Sequence, residues 1–148
     1  MGKISIGSVS SMKRECMPLL NAYWDEVDER RDTHNVCINF DSYAQLERAD
    51  MLKIFVYKEE GEVIGFVVYT VAPCTHTRVL KATTEITYIL PEYRGCGIVD
   101  ELYLTAERYF KATGTSQIFI TLKTEFSHDS LVERAGFRHV GNVYMKDI

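Results

Sequence analysis

The chain predicts a mixed α/β fold: a mostly antiparallel central sheet with helices on both faces. Two patterns predict it. A group of strands around a hairpin turn occupies the middle of the chain, and a strand, a glycine turn, a helix and a further strand follow it. The order read from the periodicity is β, α, α, β, β, β, α, β, α, β. The strand before the glycine turn and the strand after its helix should run parallel, joined by a right-handed crossover. The 148 residues, 46% hydrophobic and 26% charged, suit one domain spanning residues 1–148 with an ordinary core.

Each element has a local reason. Residues 4–9 read as a short first strand. From Ser11 the pattern turns helical, with Met17, Leu20, Trp24 and Val27 at spacings of three and four. The charged run over 25–32 reads as the solvated end of that helix and a loop. Asp41 or Ser42 is placed to cap a second short helix, with Tyr43 and Leu46 on its buried side. Residues 52–57 alternate as a strand, and Gly61 supplies a positive φ to the turn over 58–62. The apolar run VIGFVVYTV, 63–71, reads as a central strand. Residues 72–79, with Pro73, read as a loop, and LKATTEITYIL, 80–90, as a strand stopped by Pro91. Ile98, Leu102, Ala106, Tyr109 and Phe110 form a helical stripe that Gly114 ends. QIFITL, 117–122, reads as a buried strand. A short helix over 129–135 closes at Gly136, and 137–145 alternates into a final strand or hairpin.

The bulk numbers exclude several classes. A net charge of −4 without a basic cluster argues against general nucleic-acid binding. No apolar run has the length of a membrane span, and the first sixteen residues lack the h-region of a signal peptide. Cys16, Cys37, Cys74 and Cys96 form no CxxC pair and have no histidines at zinc spacing, so they read as free thiols in a reducing, cytoplasmic setting.

The stretch PEYRGCGIVDEL, 91–102, carries the chemistry. Gly95 and Gly97 let the backbone turn sharply at the start of a helix, whose unsatisfied N–H groups and positive dipole end suit a phosphate. A purely structural turn has the same signature. The stretch is not a P-loop, which needs a lysine that is missing here, nor a Rossmann fingerprint, which needs a third glycine.

YILPEYRGCGIVDELY resembles the acetyl-CoA-binding segment of the GCN5-related N-acetyltransferases. KEEGEVIGFVVY is similar to that family's central strand pair, and SLVERAGFRHVG to its last helix and strand. The resemblance covers nearly the whole chain. LLNAYWDEV, HTR at 76–78, and LKT at 122–124 with LVERAGF are similar to phage- and prophage-associated members.

The resemblance implies a parallel βαβ acetyl-CoA-binding unit and acetyl transfer to a primary amine by direct attack. Arg94, Gly95, Cys96, Gly97, Ile98 and Val99 would form the pyrophosphate loop, chiefly through backbone N–H groups. Ile89 and Leu90 would end the strand along which the pantetheine arm pairs, beside a gap that opens before the next strand. The partners implied are acetyl-CoA and an amine acceptor, small molecule or protein. A homodimer is left open, and neither nucleic acid nor membrane is expected. The family usually has Gly or Ala where Val99 stands, and Asp100 follows, so either residue could weaken the hold on an anion.

Direct transfer needs a base for the amine and a proton for the leaving thiolate. Glu85 is the first candidate base: it lies in an apolar strand, where burial would raise its pKa, and by alternation it shares a face with Thr87 and Ile89. A partly exposed, ion-paired glutamate would leave the same signature. His76 is the second candidate, and His128 a lesser one. The family's usual acid, a tyrosine of the last helix, is replaced by Val132, which leaves Tyr144, Tyr88 or solvent. Cys96 reads as a bystander in the loop. Tyr23 and Trp24 read as core residues, with an acceptor pocket as the alternative. Val99, Asp100 and the missing tyrosine also motivate a second reading, a catalytically weak or inactive acetyltransferase-like module of phage origin that binds a protein.

Overall fold

The computed structural model describes residues 2–148. Five strands form one sheet in chain order: β1 (Lys3–Gly7), β2 (Leu52–Glu59), β3 (Glu62–Pro73), β4 (Leu80–Ile89) and β5 (Thr115–Phe119). The first four are antiparallel, and β4 and β5 are parallel. The mostly antiparallel sheet and its parallel βαβ unit are therefore as the sequence predicts. Five α-helices pack on the sheet: α1 (Val9–Glu15), α2 (Met17–Val27), α3 (Phe40–Arg48), α4 (Ile98–Ala112) and α5 (Asp129–Arg134). None is long and apolar enough to cross a membrane.

The first helical region is two helices rather than one. Ser8 ends β1 and caps α1 in a reciprocal box with Ser11. The break at Cys16 follows from Pro18, whose ring nitrogen cannot donate to the preceding turn and which fits only the first turn of a new helix. Helix α3 is capped by Asn39, not by Asp41 or Ser42. The Asn39 side chain accepts from Ser42 N at 3.0 Å, and the helix begins at Phe40, two or three residues earlier than a cap at Asp41 or Ser42 would start it.

The turn between β2 and β3 is two residues long. Glu60 and Gly61 have φ of 51° and 82°, as a turn with positive φ at both central positions requires. Strand β3 is the middle strand and is buried through most of its length, which explains its unbroken apolar run. It continues through Pro73, so the expected loop shrinks to the turn over 74–79.

The sheet separates two apolar layers. Helices α1 and α2 pack on Ile54, Val56, Phe66 and Val68. Helix α4 packs on Phe55, Val67 and Tyr69, where Phe110 meets Phe55 and Tyr69 edge-on at 5.9 and 5.0 Å.

Two expectations fail at the C-terminal side. Strand β5 is shorter than the apolar run over 117–122 and is only partly buried; among the described residues it pairs with β4 alone. No strand forms over 137–145. Gly136, at φ 94°, closes α5, and Phe137 N donates to Val132 O at 3.0 Å. The chain then leaves the sheet, with Val143 82% and Tyr144 87% exposed.

One irregularity shapes the site. Across the β3–β4 ladder Val68 pairs with Ile86 and Tyr69 with Thr84, so Glu85 is an extra residue, a β-bulge. The bulge inverts the facing of β4. Ala82 lies in the α4 layer, whereas Ile86 and Tyr88 lie in the α1–α2 layer. Pairing with β5 stops at Thr83 and Phe119, just before the bulge. The rest of β4 therefore borders a gap, closed at its base by Thr121 N donating to Thr84 Oγ1 at 2.9 Å.

Candidate active site

The glycine turn sits at the open end of that gap. After a 3-10 turn over Pro91–Tyr93, Gly95 and Gly97 take φ of 79° and 82°. A Cβ at either position would meet nothing within 4 Å, so the backbone conformation selects glycine, and the space above the loop is open to a ligand. Helix α4 begins at Ile98 with no side-chain cap, which leaves its first N–H groups free to bind an anion. Val99 is half-buried and packs against the α4 layer. Asp100 is exposed on the first turn. Cys96 is also exposed, with Sγ 3.9 Å from Arg94 O.

Arg94 does not extend over the loop. Its side chain crosses the end of β4, where Nε donates to Ile89 O at 2.9 Å and the two terminal nitrogens donate to the Glu26 carboxylate at 2.6 and 3.0 Å. The guanidinium lies between the rings of Phe126 and Tyr88, 4.4 and 5.3 Å from their centroids. Tyr88 donates to the same carboxylate at 2.7 Å. The Arg94 hydrogen bonds hold the Glu26 carboxyl below its usual range against the opposing effect of burial. Burial first, and Glu26 second, push Tyr88 up to about 12. Leu90 N donates to Ile64 O on the β3 side, so it is the Ile89 carbonyl that faces the gap.

A second cluster spans the gap from the α4 side. Tyr103 Oη lies 3.2 Å from Thr87 Oγ1 on the unpaired half of β4 and 2.8 Å from His128 Nε2 beyond β5. The His128 and Tyr103 rings stack at a tilt, 5.7 Å apart. His128 Nδ1 is buried without a hydrogen-bond partner among the described residues. Burial lowers the His128 pKa, while the Phe126 carbonyl and the Asp129 and Asp100 carboxylates oppose the shift. Burial raises Tyr103 to about 12, against the effect of the Thr87 bond.

Glu85 is exposed at the bulge rather than buried in an apolar strand. Nor does it share a face with Thr87 and Ile89. It accepts from Thr70 Oγ1 at 3.3 Å and acts electrostatically on Tyr43 of α3, on the opposite side of the sheet from Tyr103. His76 is exposed in the turn over 74–79, at the far end of β4 from the glycine loop. At about 3.3 Å per strand residue, the length of β4 separates it from that loop by roughly 30 Å. Tyr144 lies on the exposed C-terminal segment. The structure thus gathers Ile89, Leu90 and residues 94–99 around one gap, places Glu85 along its wall, and brings neither His76 nor Tyr144 to it.

On the same side of the sheet as Glu85, which acts electrostatically on Tyr43, a cavity of about 260 Å³ is lined by Trp24, Arg30, Cys37, Asn39 and Tyr43, among others. Trp24 lines this cavity, whereas Tyr23 is core, edge-on to Tyr88 at 6.2 Å. The charged run over 25–32 is not simply solvated. Asp28 is 1% exposed and takes two hydrogen bonds from the Arg30 side chain at 2.9 and 2.8 Å. Glu26 and Tyr103 are the residues the sequence reading missed. Tyr103 had a signal, since 99, 103, 106 and 110 form a helical stripe. Glu26 was hidden in a run of charges.

The sequence profile of the acetyltransferase (GNAT) family matches residues 14–137, and the chain belongs to that family. No curated protein matches it significantly. Solved structures share its fold. An aminoglycoside acetyltransferase from an uncultured soil metagenomic sample is 16% identical with a TM-score of 0.77, covering 100% of this chain and 99% of its own. A ribosomal-protein-alanine N-acetyltransferase from Brucella melitensis biovar Abortus 2308 is 15% identical with a TM-score of 0.74, covering 99% of each chain. Glucosamine-6-phosphate N-acetyltransferase from Arabidopsis thaliana is 14% identical with a TM-score of 0.74, covering 99% of this chain and 98% of its own. Likenesses at this identity establish the fold alone. The likeness to phage-associated members rests on the sequence pieces only.

Proposed function

We propose that the protein is an acetyl-CoA-dependent N-acetyltransferase that moves an acetyl group to a primary amine by direct attack. The observation that carries this reading is the gap itself: β4–β5 pairing stops at Thr83 and Phe119, and the unpaired edge of β4 leads to the uncapped start of α4. Family membership supports the same reading. The positive-φ glycines with open space above them fit a pyrophosphate.

When bound, acetyl-CoA supplies the activated acyl group. The N–H groups at the start of α4 bind its pyrophosphate, and the gap-facing Ile89 carbonyl pairs with the pantetheine arm. Glu85 takes the proton of the acceptor amine, directly or through water, from the side of the sheet that carries the Trp24–Tyr43 cavity. Tyr103, backed by His128, stands on the opposite side of the gap as the donor to the leaving thiolate. Tyr144 serves that role only where the C-terminal segment docks against a sheet. The cytoplasm is the compartment that suits this chemistry and these thiols.

The rival reading, an inactive module, keeps one support: Val132 stands 9% exposed where the family has its tyrosine. Its other support weakens, because Val99 packs inward and Asp100 stands in solvent. Melting the protein with and without acetyl-CoA separates the two. Saturating ligand raises Tm if it binds the native state, by about 2.7 kcal/mol of stabilisation at a hundredfold excess over Kd. No shift would refute the proposal; a shift with no turnover on any amine would favour the module.

A further inference from the structure

We propose that Glu26, Tyr88 and Phe126 form a cation site for an acceptor with a second positive charge, a short aliphatic diamine, and that Arg94 occupies this site until the donor is bound. The inference rests on the acetyltransferase reading and names its substrate class. Arg94 is held as a cationic ligand is held. Its terminal nitrogens donate to the Glu26 carboxylate at 2.6 and 3.0 Å, and its guanidinium lies 4.4 Å from the Phe126 centroid and 5.3 Å from that of Tyr88. A carboxylate beside two aromatic faces is the chemistry that selects organic cations. The Glu26 side chain is 36% exposed, so a cation reaches it from solvent.

The same guanidinium stands in the path of the acyl arm. Arg94 Nε donates to Ile89 O at 2.9 Å, the carbonyl that faces the gap, so Arg94 and a pantetheine amide compete for one acceptor. A pyrophosphate on the uncapped N–H groups at the start of α4 offers the guanidinium another bidentate partner, four residues from its own backbone. Arg94 then exchanges Glu26 for the pyrophosphate and leaves an anionic cage behind. The cage does not need Arg94 to keep its shape. Glu26 ends α2, and Phe126 lies on the loop after β5. Two ion pairs tie these regions directly, Lys123 to Glu29 at 2.7 Å and Arg31 to Glu125 at 3.2 Å. Tyr88, 1% exposed, keeps its hydrogen bond to Glu26 from the sheet. Glu85 lies on the same side of the sheet, three residues before Tyr88 and roughly 10 Å along β4. An acceptor with one ammonium on Glu26 therefore turns its other amine toward Glu85, and a monoamine leaves one of the two carboxylates unmatched.

Calorimetric titration of the full chain with 1,4-diaminobutane, with and without saturating CoA, tests the exchange. The diamine should bind at least about tenfold more tightly when CoA is present, and CoA should gain the same factor from the diamine. 1-Aminobutane should show no coupling of that size. Arg94→Ala vacates the cage, so the diamine should bind this variant without CoA. Glu26→Gln should lose diamine binding in both conditions and keep CoA binding. A diamine affinity that CoA leaves unchanged overturns the proposal. So does coupling that 1-aminobutane shows equally or that survives Glu26→Gln, and so does an Arg94→Ala variant that binds the diamine no better than the wild type without CoA. CoA that fails to bind the wild type refutes the acetyltransferase reading itself and this inference with it, whereas bound CoA without coupling overturns this inference alone.

Discussion

Arg94 and Glu26 are joined by two hydrogen bonds, 2.6 and 3.0 Å, that tie the glycine loop to α2 across the end of β4. The same guanidinium holds the Ile89 carbonyl. The pair is partly exposed, so solvent screens it, and its worth comes mainly from two-point geometry. Glu26→Gln should cost about 1–2 kcal/mol, read as a lower urea midpoint, and a cycle with Arg94→Met should show coupling of about 1 kcal/mol. The folded Glu26 pKa lies below its ordinary 4.5, so its contribution is complete above that value and is lost as pH falls through the folded value. A cycle with no coupling would show that the two residues are merely adjacent.

The loop glycines and Val99 should separate stability from binding. Gly97→Ala forces an alanine to φ 82°, a strain of about 1–2 kcal/mol, and it disturbs the N–H groups that would meet the pyrophosphate. Both Tm and the acetyl-CoA-induced shift should fall. Val99→Ala removes apolar contact beneath α4, costs about 1 kcal/mol, and should leave the ligand-induced shift intact. A shift abolished by Val99→Ala would mean that this side chain reaches the ligand after all.

Glu85→Gln should lower kcat by roughly a hundredfold, the lower end for a general base, and leave acetyl-CoA binding and stability nearly unchanged, because the carboxylate is exposed and accepts one long hydrogen bond, from Thr70. Steady-state kinetics on a reactive amine decide it. Unchanged turnover would remove Glu85 from the site.

His128 should make the fold sensitive to mild acid. Its folded pKa is depressed below 6.5 by burial, so the unfolded chain takes up a proton first as pH falls. Stability is complete above about 6.5, declines below it, and levels off beneath the folded value. The Phe126 carbonyl and the Asp129 and Asp100 carboxylates oppose the shift without reversing it. Urea midpoints between pH 8 and 5.5 should show this decline in the wild type and a flatter profile in His128→Gln.

Where local chemistry decided the outcome, the sequence was legible. Gly61, Gly95, Gly97, Gly114 and Gly136 all take the positive φ that their turn positions suggest. The apolar run of β3 sits in the middle of the sheet as its composition implies. The partners of charged residues were not legible. Nothing in DEVDERRD separates Glu26, bound to Arg94, from its charged neighbours, because the partner lies 68 residues away in the chain. The face of Glu85 was misread for a related reason. Simple alternation assumes an unbroken ladder, and a bulge has no signature of its own in TTEIT. The strand expected over 137–145 failed because composition can favour an extended chain but cannot supply an edge for it to join.

The bulge at Glu85 makes the middle of β4 tolerant of a loss and intolerant of a gain. Losing Glu85 would leave Thr84 opposite Tyr69 and Ile86 opposite Val68 in plain alternation, so the rest of the strand would keep its faces. One more residue at the same point would have to be absorbed by a wider bulge, or it would turn the distal half over and carry Tyr88 away from Glu26 and Thr87 away from Tyr103.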